Sequence, residues 1–122
     1  MNLVDFILAN RGDTGFLNKS MGDIMTLIIL HSSNDTIVTH HDDDGNIDGI
    51  MLWNVEKFFP LTVCITECVS TGKTSLVEML GNFGLAMPSD FVCIAKRNKA
   101  TKDIQYKNPR RILKLLENYG RS

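Results

Sequence analysis

The stretch PLTVCITECV, residues 60–69, constrains the fold more than any other part of the chain. Val, Ile and Thr crowd it, and Pro60 marks its start, so it reads as a β-strand. Val63, Ile65 and Val69 alternate with Thr62, Cys64, Thr66 and Cys68, and both sets tolerate burial. A strand with two such faces belongs at the centre of a sheet covered on both sides. A helical pattern follows at once: Leu76, Met79, Leu80 and Phe83 recur at i, i+3, i+4 and i+7, with Gly84 as a candidate C-cap. FVCIA is then a second strand. Residues 61–69 are therefore predicted to be central, with IDGIMLW antiparallel to them and DFVCIA parallel through a right-handed crossover.

The remaining elements supply cover for that sheet. Leu3 to Leu8 reads as a short helix ended by NRGDTG. Ser20 is an N-cap candidate with Asp23 three residues on, and Met21, Ile24, Met25 and Ile28 mark a helix over 21–31. The segment DTIVTHHDDDGNIDGIMLWNVE reads as a hairpin turning at Asp-Gly-Asn. Pro109 suits a first helical turn, and Ile112, Leu115, Leu116 and Tyr119 share one face of a last helix. The order is helix, helix, hairpin, strand, helix, strand, helix. That is an α/β (α+β) domain, a mixed sheet with helices on both faces, spanning residues 1–122 as a single unit.

Charge is unevenly distributed. Residues 1–61 carry three basic and nine acidic side chains, residues 62–122 ten basic and five acidic. Between Lys96 and Lys114 eight Lys or Arg face one acid, Asp103. A basic edge suits an anionic ligand, although a solvated helix face explains the same charges when taken alone. The apolar run Leu27 to Leu30 is far too short to span a bilayer, and MNLVDFILAN has no secretion-signal pattern. Cys64, Cys68 and Cys93 form no CxxC and no even framework, which points to free thiols in a reducing, cytoplasmic compartment.

The turn after the central strand carries the chemistry. ECVSTGKTS places Gly72, Lys73 and Thr74 in P-loop order after a strand and before a helix. Glu67 stands where the first P-loop glycine belongs, and no later strand ends in an Asp suited to Mg²⁺. A P-loop-type nucleotide binder is therefore the weakest of the readings. A weaker demand survives: N–H groups at a helix start, with a glycine and a lysine, hold a pyrophosphate without P-loop chemistry.

HDDDGNIDGIML, LTVCITECV, TGKTSLVEML and NPRRILKLLENYG together resemble the GNAT acetyltransferase superfamily, in matching order from residue 20 to 120. The pattern is similar to that of small, diverged GNAT-like proteins encoded by podophages, some of which are internal virion components. The resemblance implies acetyl-CoA as cofactor, its pantetheine and pyrophosphate held by Val69, Ser70, Thr71, Gly72, Lys73, Thr74 and Ser75. Thr71 stands where the family's pyrophosphate signature has Arg, and Thr74 where it has a glycine. The chain stops short of the strand pair that many members add last. Direct acetyl transfer to an amine asks for a base and an acid. Glu67 resembles the base. Tyr106 resembles the acid in a register opened by Asn98; a second register opens at Asn108 and puts Tyr119 in the rear position. Lys96, Arg97, Lys99 and Lys102 are then expected near the phosphates. Two functions follow: a small N-acetyltransferase acting on an amine substrate, or a non-catalytic GNAT-like component of a phage particle with virion proteins as partners. The location is then the host cytoplasm or the virion.

The other constellations favour bland readings. HHDDDGN lacks calcium-loop spacing, since Ile47 sits where a glycine is needed, and His40 and His41 point to opposite faces of a strand. No metal site is expected. Cys64 and Cys68 fall on one strand face, too far apart along it to pair. Aromatic residues are too few for a base-stacking platform, so nucleic acid is not an expected partner.

Overall fold

The structure, a computed structural model, describes residues 2–12, 16, 18–88, 91–96 and 103–106. Two helices come first, α1 (Leu3–Asn10) and α2 (Met21–Ser33). Both are capped from the sequence: Asn2 Oδ1 accepts from the Asp5 N–H at 2.9 Å, and Ser20 Oγ from the Asp23 N–H at 3.1 Å. The hairpin β1 (Ile37–His41) and β2 (Ile47–Phe58) follows, then β3 (Leu61–Ser70), α3 (Lys73–Ala86), β4 (Val92–Lys96) and β5 (Asp103–Tyr106). The five strands form one sheet in the order β1-β2-β3-β4-β5. β3 lies at its centre, antiparallel to β2 and parallel to β4, as its two burial-tolerant faces require.

Each face of the sheet has its own core. On one side α3 packs Met79 and Phe83 onto Met51, Val63 and Ile65, with Phe91 and Cys93 completing the cluster. Phe83 links two aromatic neighbours, Trp53 at 5.6 Å and Phe91 edge-on at 6.0 Å between centroids. On the other side α1 and α2 bury Phe6, Ile7 and Ile24 against Ile50, Leu52 and Val69, with Phe16 from the connection between the helices. The mixed sheet with helices on both faces is thus the observed fold class.

A bulge changes the expected facing of β3. Leu52 pairs with Glu67, and the next residue, Trp53, pairs with Ile65, so Thr66 is the extra residue. Val63 and Ile65 face α3, whereas Val69 faces α1 and α2. Simple alternation put these three together, and Cys64 and Cys68 together. Cys68 instead packs on the α3 side, and Cys64 is interleaved between the α3-facing Val63 and Ile65. One inserted residue reverses every facing beyond it.

Three smaller differences have local causes. The hairpin loop runs from Asp42 to Asn46, where Asp42 Oδ1 accepts from the Asp44 and Asn46 N–H groups and Gly45 adopts φ 84°. Gly84 is buried inside α3, which continues to Ala86, because packing on the sheet outweighs the glycine's preference for a helix end. β5 occupies a stretch where sequence alternation predicted no strand; its pairing with β4 is set by the neighbouring edge. The expected last helix, with Ile112, lies outside the described residues.

The Phe83 cluster should dominate stability. Phe83→Ala is expected to cost about 3–5 kcal/mol in urea unfolding. Phe59→Ala, at a position 89% exposed, should change it by less than about 0.5 kcal/mol. Equal effects from the two would contradict this assignment of the core.

Candidate functional site

Among the described residues the pairing of β3 with β4 stops just before the bulge that re-aims β3. The parallel ladder runs from Thr62↔Val92 to Ile65↔Ala95. β3 then continues through Thr66 to Ser70, and among the described residues no strand pairs with it on that side. The Thr66 hydroxyl donates to the Leu52 carbonyl at 3.3 Å, fixing the bulge to β2. The carboxyl ends of two adjacent parallel strands are the place where open α/β sheets accept ligands.

At the carboxyl end of β3 the chain turns into α3. Gly72 is the N-cap with extended backbone (φ −168°, ψ 175°), and no side chain caps the helix. The N–H groups of the first turn therefore leave the helix end without a capping oxygen, in a region of positive dipole. Among the described residues, a methyl group built on Gly72 would meet nothing within 4 Å. The turn is tied down from below. The Thr71 N–H donates to the Asp48 carbonyl at 3.0 Å, and its hydroxyl approaches the same oxygen at 3.4 Å. The hydroxyls of Ser70 and Ser75 both donate to the Gly72 carbonyl, at 3.2 and 3.0 Å.

These bonds divide the expected cofactor-binding residues. Val69 is buried in the α1–α2 core, and Ser75 is buried with its hydroxyl engaged. Ser70 and Thr71 shape the turn, while Gly72 and Thr74 are exposed at its rim. Lys73 begins α3; its side chain lies outside the described residues. Lys96 ends β4, whereas Arg97, Lys99 and Lys102 also lie outside them.

The expected acid–base pair is not brought together. Glu67 follows the bulge and is half-buried opposite Leu52, near the carboxyl end of β3. Tyr106 is on β5 opposite Cys93, which is itself level with Val63. Tyr106 thus lies two strands across and well below Glu67, a Cα separation of roughly 15 Å by strand geometry. Tyr119 and Asn108, the alternative register, lie outside the described residues.

A charged cluster beside the turn was not foreseen. His40 on β1 places Nδ1 2.6 Å from Asp48 Oδ1 and Nε2 against Glu78 Oε2 of α3. The hydrogen bond to Asp48, and next that to Glu78, raises the His40 pKa above its ordinary value. The hairpin register, which opposes His40 to Gly49, puts His40 beside Asp48; the sequence pattern specified the hairpin but not this register. His31, by contrast, is a buried structural residue bonded to the Thr36 hydroxyl at 2.7 Å.

Other chemistries find little support. Among the described residues no group of three or more His, Cys, Asp or Glu is arranged to hold a metal ion, and no helix is long and apolar enough to cross a membrane. Burial, and secondarily the Glu67 charge, pushes the Cys68 thiol up to about 12. Burial, with Cys64 nearby, does the same to Cys93. Comparison with protein-family models, with curated proteins and with solved structures found no match.

The thiols should accordingly be inert. Iodoacetamide at pH 8 is expected to label the native protein at least about 100-fold more slowly than the urea-unfolded chain, because the thiolate is the reactive form. Rapid native labelling of Cys68 would contradict the burial assigned to it.

Proposed function

We propose that the protein is a GNAT-like acetyl-CoA-binding domain acting as a small N-acetyltransferase. The observation that carries the reading is the coincidence of three features at one place. The Thr66 bulge, the end of the β3–β4 ladder and the uncapped start of α3 all meet at the top of the central strand. A pantetheine arm is an extended chain with two amides, and main-chain donors and acceptors at the end of a strand suit it. The pyrophosphate at its end is a dianion suited to the α3 N-terminus. Acetyl-CoA has both parts in that order.

In this reading the amine nitrogen attacks the thioester carbonyl carbon. A C–N bond forms, the C–S bond breaks, and the acetyl group moves to the amine. Glu67 takes the proton that the amine loses. The departing thiolate needs a proton from an acid. The position of Tyr106 on β5 favours the second register for that role, in which Tyr119 is the acid.

The same distance between Glu67 and Tyr106 also favours a second reading, in which the fold is kept without catalysis as a structural or interaction component of a phage particle. Release of free CoA thiol from acetyl-CoA in the presence of amines distinguishes the two.

Binding is tested by thermal shift with acetyl-CoA. Ligand at a hundredfold excess over Kd should stabilise the protein by about 2.7 kcal/mol, a Tm rise on the order of 10 °C for this size of chain. Lys73→Glu should weaken binding at least several-fold by placing a carboxylate beside the pyrophosphate. Gly72→Ser is expected to act in opposite directions on the two states. An added N-cap hydroxyl raises the Tm of the free protein by roughly 1–2 °C while weakening acetyl-CoA binding, since it engages the N–H groups the pyrophosphate needs. No shift with acetyl-CoA, or unchanged affinity in both variants, would overturn the assignment.

A further inference from the structure

His40 is bonded at both ring nitrogens. Asp48 reaches Nδ1 from β2 and Glu78 reaches Nε2 from α3. Carboxylates only accept, so satisfying both requires two ring N–H groups, which only the imidazolium has. The two partners lie on either side of the α3 turn in the chain. Asp48 holds the turn directly, since its main-chain carbonyl accepts from the Thr71 N–H and hydroxyl. Glu78 stands in the second turn of the helix that Gly72 opens. Thus one side chain on β1 clamps the strand below the turn to the helix above it.

We propose that His40 is a positioning residue whose protonated ring locks the Ser70–Gly72 turn and the start of α3, making anion binding at that turn dependent on pH. Only the ligand clause rests on the acetyl-CoA reading; the lock itself does not. Among the described residues the charged groups facing His40 are Asp48 from β2 and Glu78 from α3, while its neighbour on β1, His41, is exposed. The acids Asp42, Asp43 and Asp44 follow in the exposed hairpin loop. Loss of the proton leaves one ring N–H for two carboxylates. The cluster of one cation and two anions then becomes two anions beside the helix start, which repel a phosphate as well as each other.

The sign follows from linkage. Folding raises the His40 pKa, so the stabilisation is complete below the unfolded value, about 6.5, and is lost as pH rises through the folded value. Binding of an anion at the turn should fall across the same upper window. Glu78 is 54% exposed on its side chain, so it is the partner that swings into solvent, while Asp48 stays held in the strand.

The test uses three readouts on the full chain. Histidine NMR titration gives the His40 pKa. Amide exchange gives the protection of Thr71 at each pH. Calorimetric titration with CoA from pH 5.5 to 9 gives the affinity in wild type, His40→Gln and Glu78→Gln. The expected result is a His40 pKa above 6.5, Thr71 protection that drops at that same pH, and wild-type affinity that falls several-fold through it. His40→Gln should bind more weakly at low pH with no corresponding step, which separates the His40 contribution from titration of the CoA phosphate. A His40 pKa at or below 6.5, Thr71 protection indifferent to it, or the same affinity profile in wild type and His40→Gln would overturn the proposal. If CoA binds at no pH, the functional reading fails; the lock is then supported or overturned by the first two readouts in the wild-type protein. If His40→Gln does not fold, Glu78→Gln serves, with an expected drop in the His40 pKa; no drop would overturn the proposal.

Discussion

The hydrogen bond from the Thr66 hydroxyl to the Leu52 carbonyl holds an extra residue in the central strand, and much of the molecule follows from that insertion. Below it, β3 is a fully paired strand with Val63 and Ile65 under α3. Above it, the facing is reversed, Val69 enters the α1–α2 core, and among the described residues β4 no longer pairs with β3. A bulge bends a strand and disrupts the ladder locally. Here the disruption lies four residues before the helix turn, so the bulge and the helix start lie at the same end of β3.

The sheet architecture was legible because strong local patterns carried it. The β-branched run of β3, the 3.6-residue spacing of Leu76, Met79, Leu80 and Phe83, and the cap at Ser20 each agree with the fold. The bulge was not legible, since Thr66 suits either an ordinary strand position or an inserted one. Facing beyond it, and with it the partners of Val69 and Cys68, needed the register. β5 was hidden for a related reason: four residues flanked by charges show no period of their own, and their state is decided by the exposed edge of β4.

The site was legible in part. The glycine and the strand-to-helix turn at Gly72 were recognisable from spacing, because a turn of that kind must present helix N–H groups. The roles of individual hydroxyls were not, as Ser70 and Ser75 close onto the Gly72 carbonyl rather than outward. The His40–Asp48–Glu78 cluster joins three elements, one of them 38 residues away along the chain, and no local pattern encodes such a meeting. The same turn is braced below by Asp48, and among the described residues nothing stands within 4 Å of a methyl group built on Gly72. A rigid base suits a preorganised anion site, since little ordering remains to oppose binding.

The most direct test of this account is a ¹⁵N–¹H correlation titration of the protein with acetyl-CoA. The largest shifts are expected on the amides of Glu67, Cys68 and Val69 at the carboxyl end of β3 and of Gly72, Lys73 and Thr74 at the helix start. They should saturate together with one affinity. Shifts absent from both stretches, or centred elsewhere on the sheet, would contradict it.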